Sequence, residues 1–198
     1  NPAREGAVLT VTFSASQDLT ACGATISGQV AACGSPSGKA CSCSFTIGLA
    51  VPEGAVGVAA SGTNANGTGY ANAVVQVDKT PPLVDGNLLA VVRRAMGLND
   101  AVSAAAGAVS DDGKDLYAGR GVSAVKLWDA VSGGLPLVTL DAQAIAPDGS
   151  FAEVDLPGTD LGAPKQLWAS AVDVAGNEGV RVEIIPGKDL DPPAGNGA

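Results

Sequence analysis

Four cysteines lie close together and offer the clearest chemistry in this sequence. Cys22, Cys33, Cys41 and Cys43 all fall within 22 residues. Three interpretations are open: two disulfides formed in an oxidising compartment, a metal site made of four thiolates, or free buried thiols. Two disulfides are favoured, because zinc knuckles normally separate paired cysteines by two residues, whereas the spacings here are 11, 8 and 2.

The pairing of these cysteines is only partly determined by their spacing. A bond between Cys41 and Cys43 would close a very tight ring, so we expect each of them to bond to one of Cys22 and Cys33. The choice between the two arrangements stays open. Such bonds would stabilise a domain that has few aromatic residues to build its core.

Aspartates offer a second kind of chemistry, which is calcium binding. Asp111, Asp112 and Asp115 lie in one acidic loop, and Ca²⁺ takes six to eight oxygen ligands. The spacing and closing glutamate of an EF-hand are missing, so a solvated acidic loop is the alternative.

A second calcium candidate lies around a Pro-Pro pair. Asp78 precedes this pair, and Asp173 lies near Asn177 in a predicted hairpin, so oxygens from both sides of a domain junction could bind Ca²⁺. The alternative is that Asp173 and Asn177 hydrogen-bond the backbone of their own turn.

The composition excludes several functions. The sequence contains no histidine, which rules out Ser-His-Asp and Cys-His catalysis and histidine-ligated metal sites. Ser103, Ser123 and Ser170 therefore lack a histidine base, and no carboxylate pair stands out for glycoside hydrolysis. A net charge of −9 without a basic cluster argues against nucleic-acid binding, and no apolar run is long enough to predict membrane insertion. We expect a protein that is not an enzyme.

Two stretches of the chain repeat the same order of features. A strand pattern, an Asn/Gly turn, a second strand pattern and a Pro-Pro pair occur once near residue 80 and again near the C-terminus. Consecutive prolines favour an extended linker. We therefore predict domains at 1–80 and 81–188, followed by a Pro/Gly linker tail at 189–198.

Apolar residues alternate with a period of two, which predicts β-strands in both domains. Two stretches, 88–96 and 101–108, also fit short helices, but flanking glycine and β-branched residues favour strands. The predicted edge strands are short and interrupted by glycine, so self-association is possible but not indicated. In domain one the expected strands lie around 9–13, 26–30, 41–51, 56–58 and 70–77, and in domain two around 88–93, 101–109, 122–129, 137–144, 151–156, 167–173 and 180–185.

Two tryptophans raise the question of sugar binding. Trp128 and Trp168 could form a stacking platform for a glycan, but each lies in an alternating strand pattern, where core packing is the usual role.

The second domain resembles the bacterial immunoglobulin-like (Big-type) repeats of secreted and cell-surface proteins. The resemblance rests on residues 102–109, 147–151 and 168–177 and on the Asp-x-x-Pro-Pro linkers. It covers most of domain two but only the last third of domain one. It implies an all-β protein of two tandem immunoglobulin-like β-sandwiches joined by a Pro-rich linker.

The resemblance also implies a role and a location. We expect a non-catalytic spacer, stalk or adhesion module of a secreted or surface-exposed bacterial protein, at the cell surface or outside the cell. Its partners would be neighbouring domains of the parent chain and a cell-surface protein or glycan. Calcium is the only cofactor that the sequence suggests. The alternative is a glycan- or protein-binding accessory domain pair of a secreted hydrolase.

Overall fold

β-strands are the main secondary structure in the described part of the chain. The computed structural model describes residues 2–92, 100–111, 121–157 and 166–184. Within these ranges there is no α-helix, and the only helical element is a 3₁₀ turn at Gly86–Leu88. The prediction of an all-β protein is confirmed. The chain divides into two compact units, Asn1–Lys79 (unit 1) and Thr80–Ala198 (unit 2).

Unit 1 contains seven strands in two antiparallel sheets. One sheet has the order β1-β5-β4 and the other has the order β3-β2-β6-β7. The strands are β1 Val8–Ser14, β2 Ala21–Ile26, β3 Gln29–Val30, β4 Ala32–Cys33, β5 Ala40–Thr46, β6 Gly54–Asn64 and β7 Gly67–Val77.

The core of unit 1 follows the two-residue period of its strands. In β5, Cys41 and Cys43 point inward and are buried, whereas Ser42 between them and Ser44 after them are exposed. Successive side chains of a strand point to opposite faces, so this alternation places one face against the core. The fully or nearly fully buried aliphatic residues of this core are Ile26, Ile47, Val51, Val56 and Val77.

Two predicted strands of unit 1 are shorter than expected. The stretch 26–30 is a hairpin, because Ser27 and Gly28 both have positive φ, 52° and 76°, which reverses the chain between β2 and β3. The stretch 41–51 stops being a strand at Thr46, and Leu49 is exposed instead of facing the core. There the ammonium of Lys79 binds three loop carbonyls, those of Gly48, Leu49 and Val51.

Strands β6 and β7 form the longest hairpin of unit 1. They pair over eleven consecutive residue pairs, from Gly54–Val77 to Asn64–Gly67, without a bulge. β7 is the last strand of its sheet. The expectation of short edge strands is therefore wrong for this edge.

The described residues of unit 2 form nine strands of two to seven residues. Four of them form a sheet of order β13-β12-β15-β16, three form a sheet of order β14-β10-β9, and β11 pairs with β8. The strands are β8 Leu83–Val84, β9 Leu89–Val92, β10 Ala101–Ala104, β11 Val109–Ser110, β12 Val122–Trp128, β13 Val138–Asp141, β14 Phe151–Asp155, β15 Leu167–Asp173 and β16 Val182–Ile184.

Unit 2 differs from the predicted strand pattern in two places. The stretch 101–109 is broken by a turn in which Gly107 has a φ of +83° and the amide of Ala108 donates to the carbonyl of Ala105. The alternation in the sequence did not predict the short strand β8. Residues 89–92 form a strand, as favoured over a helix, and 93–99 lie outside the described residues.

A second hydrophobic core fills unit 2. It combines aliphatic residues from both main sheets with Phe151 and small alanines of β15. Alanines at these positions let the sheets approach closely without large side chains. Its fully buried members include Leu89, Val102, Val125, Leu127, Leu156, Ala169, Ala171 and Ile184.

Candidate functional site

A disulfide joins the two sheets of unit 1. Cys22 on β2 bonds to Cys41 on β5, with the two Cα atoms 6.0 Å apart. β2 and β5 belong to different sheets, so this bond fixes one sheet against the other across the core. Cys41 is only 4% exposed, which keeps the bond away from solvent.

The second disulfide lies within one sheet. Cys33 on β4 bonds to Cys43 on β5, and these residues are direct partners in the ladder, with Cα atoms 3.9 Å apart. The bond holds the two-residue strand β4 onto β5. The prediction of two disulfides is confirmed, and Cys41 and Cys43 each bond to one of the two earlier cysteines, as expected.

Asp173 is the predicted calcium ligand with the most clearly described surroundings. It is 1% exposed, and its two carboxylate oxygens accept hydrogen bonds from the backbone amide and the side-chain amide of Asn177, at 2.8 and 2.7 Å. The amide of Asp173 in turn donates to the carbonyl of Asn177. This geometry is the turn-capping arrangement that the sequence offered as the alternative to calcium.

The acidic loop contributes one described residue near this turn. Carboxylate oxygens of Asp111 and Asp173, both in unit 2, lie within 4.8 Å of each other. Gly121 packs directly against the Asp111 side chain, which leaves no space for a Cβ there. Asp112 and Asp115 lie outside the described residues.

The remaining predicted calcium ligand lies in unit 1. Asp78 is 5% exposed, and its backbone amide donates to the carbonyl of Ala3 at 3.1 Å. Calcium binding by the five predicted aspartates stays a prediction, because acidic groups in protein structures are common without a bound ion.

Trp128 is covered by a charged side chain. Cζ of Arg181 lies 3.3 Å from the centroid of the Trp128 ring, and Trp128 is 5% exposed. The guanidinium also donates to the carbonyls of Ala130 and Gly133, at 2.9 and 2.8 Å. A cation over an aromatic face is attracted by the ring quadrupole, so the guanidinium stays over one face of the Trp128 ring and covers it. The covered face of Trp128 cannot stack on a sugar.

A polar network extends from the indole of Trp128 to the surface of unit 2. The indole N–H donates to Oγ of Ser170 at 3.0 Å, and this hydroxyl donates to Glu178 at 2.8 Å. The other carboxylate oxygen of Glu178 receives the ammonium of Lys126 at 2.6 Å. The buried indole and hydroxyl are thus satisfied by neighbouring groups.

Opposing effects act on the pKa of the Glu178 carboxyl. Burial raises this pKa, but hydrogen bonds from Lys126 and Ser170 and the charges of Lys126 and Arg181 together hold it below its ordinary value. Glu178 is therefore an ionised, structural carboxylate. Ser170 is fully buried and engaged in this network, which does not suit a nucleophile.

Unit 1 has an open depression lined by hydroxyl groups. Its volume is about 490 Å³ and it lies between β1, the start of β5 and the loop before β5. No charged residue lines it. The residues that supply hydroxyls are Thr12, Ser14, Ser35, Ser37 and Ser42.

Sequence reasoning missed the Arg181–Trp128 contact and the hydroxyl-lined depression. Arg181 lies just before β16, which pairs with Leu167–Ala169 of β15, and β15 pairs with β12. The contact therefore depends on strand order in the sheet, which period-two alternation does not encode. No signal in the sequence distinguishes Arg181 from other surface arginines.

Comparison with known proteins adds no relative. No protein-family profile matches the chain, and no curated protein sequence matches it significantly. In the part of the chain that the structure describes, no helix has the length and hydropathy needed to cross a membrane. The disulfides are compatible with a protein outside the cell.

Proposed function

We propose that this chain is a pair of tandem immunoglobulin-like modules that act as a non-catalytic, disulfide-stabilised spacer in a secreted or surface-exposed bacterial protein. The observation that carries the proposal is a strand order that occurs in both units. Unit 1 has the order β3-β2-β6-β7 and unit 2 has β13-β12-β15-β16. In each unit this sheet is accompanied by a second ladder, β1-β5 in unit 1 and β10-β14 in unit 2.

The order in both units corresponds to that of immunoglobulin-like sandwiches. In those folds strands C′, C, F and G form one sheet and strands B and E pair in the other. β2, β6 and β7 take the places of C, F and G, and β1 and β5 take those of B and E. The parallel bridge between Ala3 and Val77 adds an N-terminal segment beside the last strand.

The chemistry of the two units supports a structural role over a catalytic one. The sequence has no histidine. The Asp173 carboxylate accepts a hydrogen bond within its own turn, and the Glu178 carboxylate accepts one from the buried hydroxyl of Ser170, so both have structural roles. Buried disulfides in unit 1 suit an oxidising compartment, where small domains with few aromatic residues gain stability from such bonds.

Small-angle X-ray scattering of the whole chain tests the spacer proposal. Two modules joined by a proline-containing linker should give a maximum dimension well above that of a single sandwich, and it should stay constant with salt. A compact particle, whose pair-distance distribution has one symmetric peak, would contradict a spacer. The measurement is extrapolated to zero concentration so that association between copies does not imitate elongation.

A second candidate function is glycan binding by unit 1. The depression between β1 and β5 supports it, because several hydroxyls without a charged neighbour can exchange hydrogen bonds with a neutral polyol. Ser42→Ala/Thr12→Ala should abolish retention on a glycan array. A control at Thr46, on the same strand outside the depression, should retain it. No binding by the unmodified chain would exclude this candidate.

A further inference from the structure

The free edge of β7 is the most unusual surface of unit 1. All eleven residues of this strand, from Gly67 to Val77, are uncharged, although the whole chain carries a net charge of −9. Residues 67–74 are all exposed, with Tyr70 at 80% and Val74 at 67%. At the other edge of the same sheet, β3 has only two residues.

The outward backbone groups of β7 can be assigned from neighbouring hydrogen bonds. In an antiparallel sheet, residues alternate between bonding one neighbour and the other. The carbonyls of Thr63 and Gly57 in β6 accept bonds from Thr20 and Ser27, on the β2 side. Their ladder partners in β7, Thr68 and Val74, therefore point their backbone N–H and C=O groups away from β6.

A hydrogen bond at the C-terminal end of β7 independently gives the same assignment of outward residues. The amide of Ala3 donates to the carbonyl of Gln76 at 2.8 Å, so the even-numbered residues of β7 face outward. Ala3 lies beside the edge at Val77 and hydrogen-bonds Gln76 and Asp78 on either side of it, so it covers only the C-terminal end of β7. Thr68, Tyr70, Asn72 and Val74 present four outward N–H and four outward C=O groups, and the described strands pair with none of them.

Natural sheets usually protect such edges, and the sequence of β7 supplies none of the protecting features that a strand itself can carry. Protection comes from lysines, prolines, bulges or very short strands. β7 has no charged residue and no proline, and its pairing with β6 runs through eleven pairs without a shift in register. An edge of this length and composition is a template for another strand.

We propose that β7 pairs antiparallel with β7 of a second copy of this chain, which gives a twofold-symmetric dimer with a continuous eight-stranded sheet. In the register that uses all four outward residues of both copies, Thr68 lies opposite Val74 and Tyr70 opposite Asn72. Ala71 then lies on the twofold axis, opposite its own copy. This interface is isologous, because the same residues serve both copies.

The lack of charge along β7 makes a second copy a suitable occupant. The eleven residues of β7 bring no charge to the seam, and unit 1 contains only three basic and four acidic residues, so two copies meet there with little repulsion. The register centred on Ala71 also pairs all four outward residues of one copy with the same four residues of the other.

Sedimentation velocity over a range of concentrations tests the dimer. The unmodified chain should change from monomer to dimer as concentration rises, and Tyr70→Lys should raise the dissociation constant at least tenfold by placing charge in the seam. Leu49→Lys is the matched control, because Leu49 is 82% exposed in a loop of the same unit and should not change dimerisation. A chain that stays monomeric at its solubility limit overturns the proposal.

Disulfide trapping tests the register. Ala71→Cys places two cysteines opposite each other at a non-hydrogen-bonded pair, where Cα atoms lie about 4.5 Å apart, within the range that a disulfide spans. This variant should form a covalent dimer on a non-reducing gel. Ala73→Cys, whose nearest counterpart is Gly69, should not.

Peptide mapping accompanies the trapping, so that exchange with the native disulfides is recognised. Equal trapping of both cysteine variants would overturn the register, and trapping of neither would overturn the edge-to-edge arrangement. If the Ala71→Cys variant does not fold, the effect of Tyr70→Lys on sedimentation still decides whether the edge is the interface.

Discussion

Removing the disulfide between the two sheets should destabilise unit 1 alone. The change is Cys22→Ala/Cys41→Ala, which opens a loop closed over a sequence separation of 19 residues. The loop-entropy relation gives a loss of about 3 kcal/mol for a loop of this length. The loss of the buried Cys41 and partly buried Cys22 sulfurs adds to that value, so 3 kcal/mol is a lower estimate.

The distribution of tryptophans makes this prediction easy to measure. Both tryptophans, Trp128 and Trp168, belong to unit 2, so their fluorescence reports the unfolding of unit 2, whereas far-ultraviolet circular dichroism reports both units. With an m-value of about 1 kcal/mol per molar urea for a domain of this size, the unit 1 midpoint should fall by about 3 M. The fluorescence midpoint should not move.

Cys33→Ala/Cys43→Ala, which removes the other disulfide of unit 1, is the variant for comparison. Its loop spans a separation of 10 residues, so the same relation gives a slightly smaller loss, again about 3 kcal/mol. Because the two loops overlap, the quadruple variant should lose less than the sum of the pairs. A variant lacking the first disulfide with an unchanged dichroism transition, or with an equal shift in fluorescence, would refute the reasoning.

Three substitutions in unit 2 and one test of the predicted calcium ligands give further predictions. Glu178→Gln should reduce the acid sensitivity of unit 2. The stabilisation from this carboxylate is complete above its unfolded pKa of 4.5 and is lost as pH falls through its lower folded pKa. Urea unfolding at a series of pH values should show that this stabilisation is less than about 1 kcal/mol, because Lys126 and Glu178 are partly exposed. Gly149→Ala should cost about 2 kcal/mol or more by fluorescence-detected unfolding, because Gly149 has a φ of +80° and a Cβ would collide with the carbonyl of Val109. Gly133→Ala, with φ of +67° and open space, should cost only the backbone term of about 1 kcal/mol. Calcium should raise the thermal midpoint of unfolding relative to chelator if the predicted aspartates bind it, and identical midpoints would assign those carboxylates to turns and solvation.

The strands whose alternation is strong were predictable, and those interrupted by special backbone were not. Val8–Ser14 and Leu167–Asp173 match the predicted positions closely, because a two-residue apolar period identifies the buried face of a strand. The stretch 26–30 failed because Ser27, which is not glycine, takes a positive φ. The stretch 101–109 failed because Ala105–Ala108 closes a turn that alanine-rich sequence does not signal.

The candidate sites were also predictable from the sequence only in part. Crowding of four cysteines within a short stretch was enough to predict two disulfides, since the alternatives require other spacings. Which cysteine bonds to which required the fold, because Cys33 and Cys43 become ladder partners only once β4 is placed beside β5. The contact of Arg181 with Trp128 likewise depends on the order of β12, β15 and β16.

Residue types and patterns of near neighbours along the chain were enough to predict β-strands, two disulfides and a lack of histidine catalysis. Which strands lie side by side, and therefore which strand has a free edge, became known only from the three-dimensional fold. The free edge of β7 follows from its position beside β6 at the end of the strand order β3-β2-β6-β7. Strand order is set by long-range packing of both faces, which the local pattern of a strand does not contain.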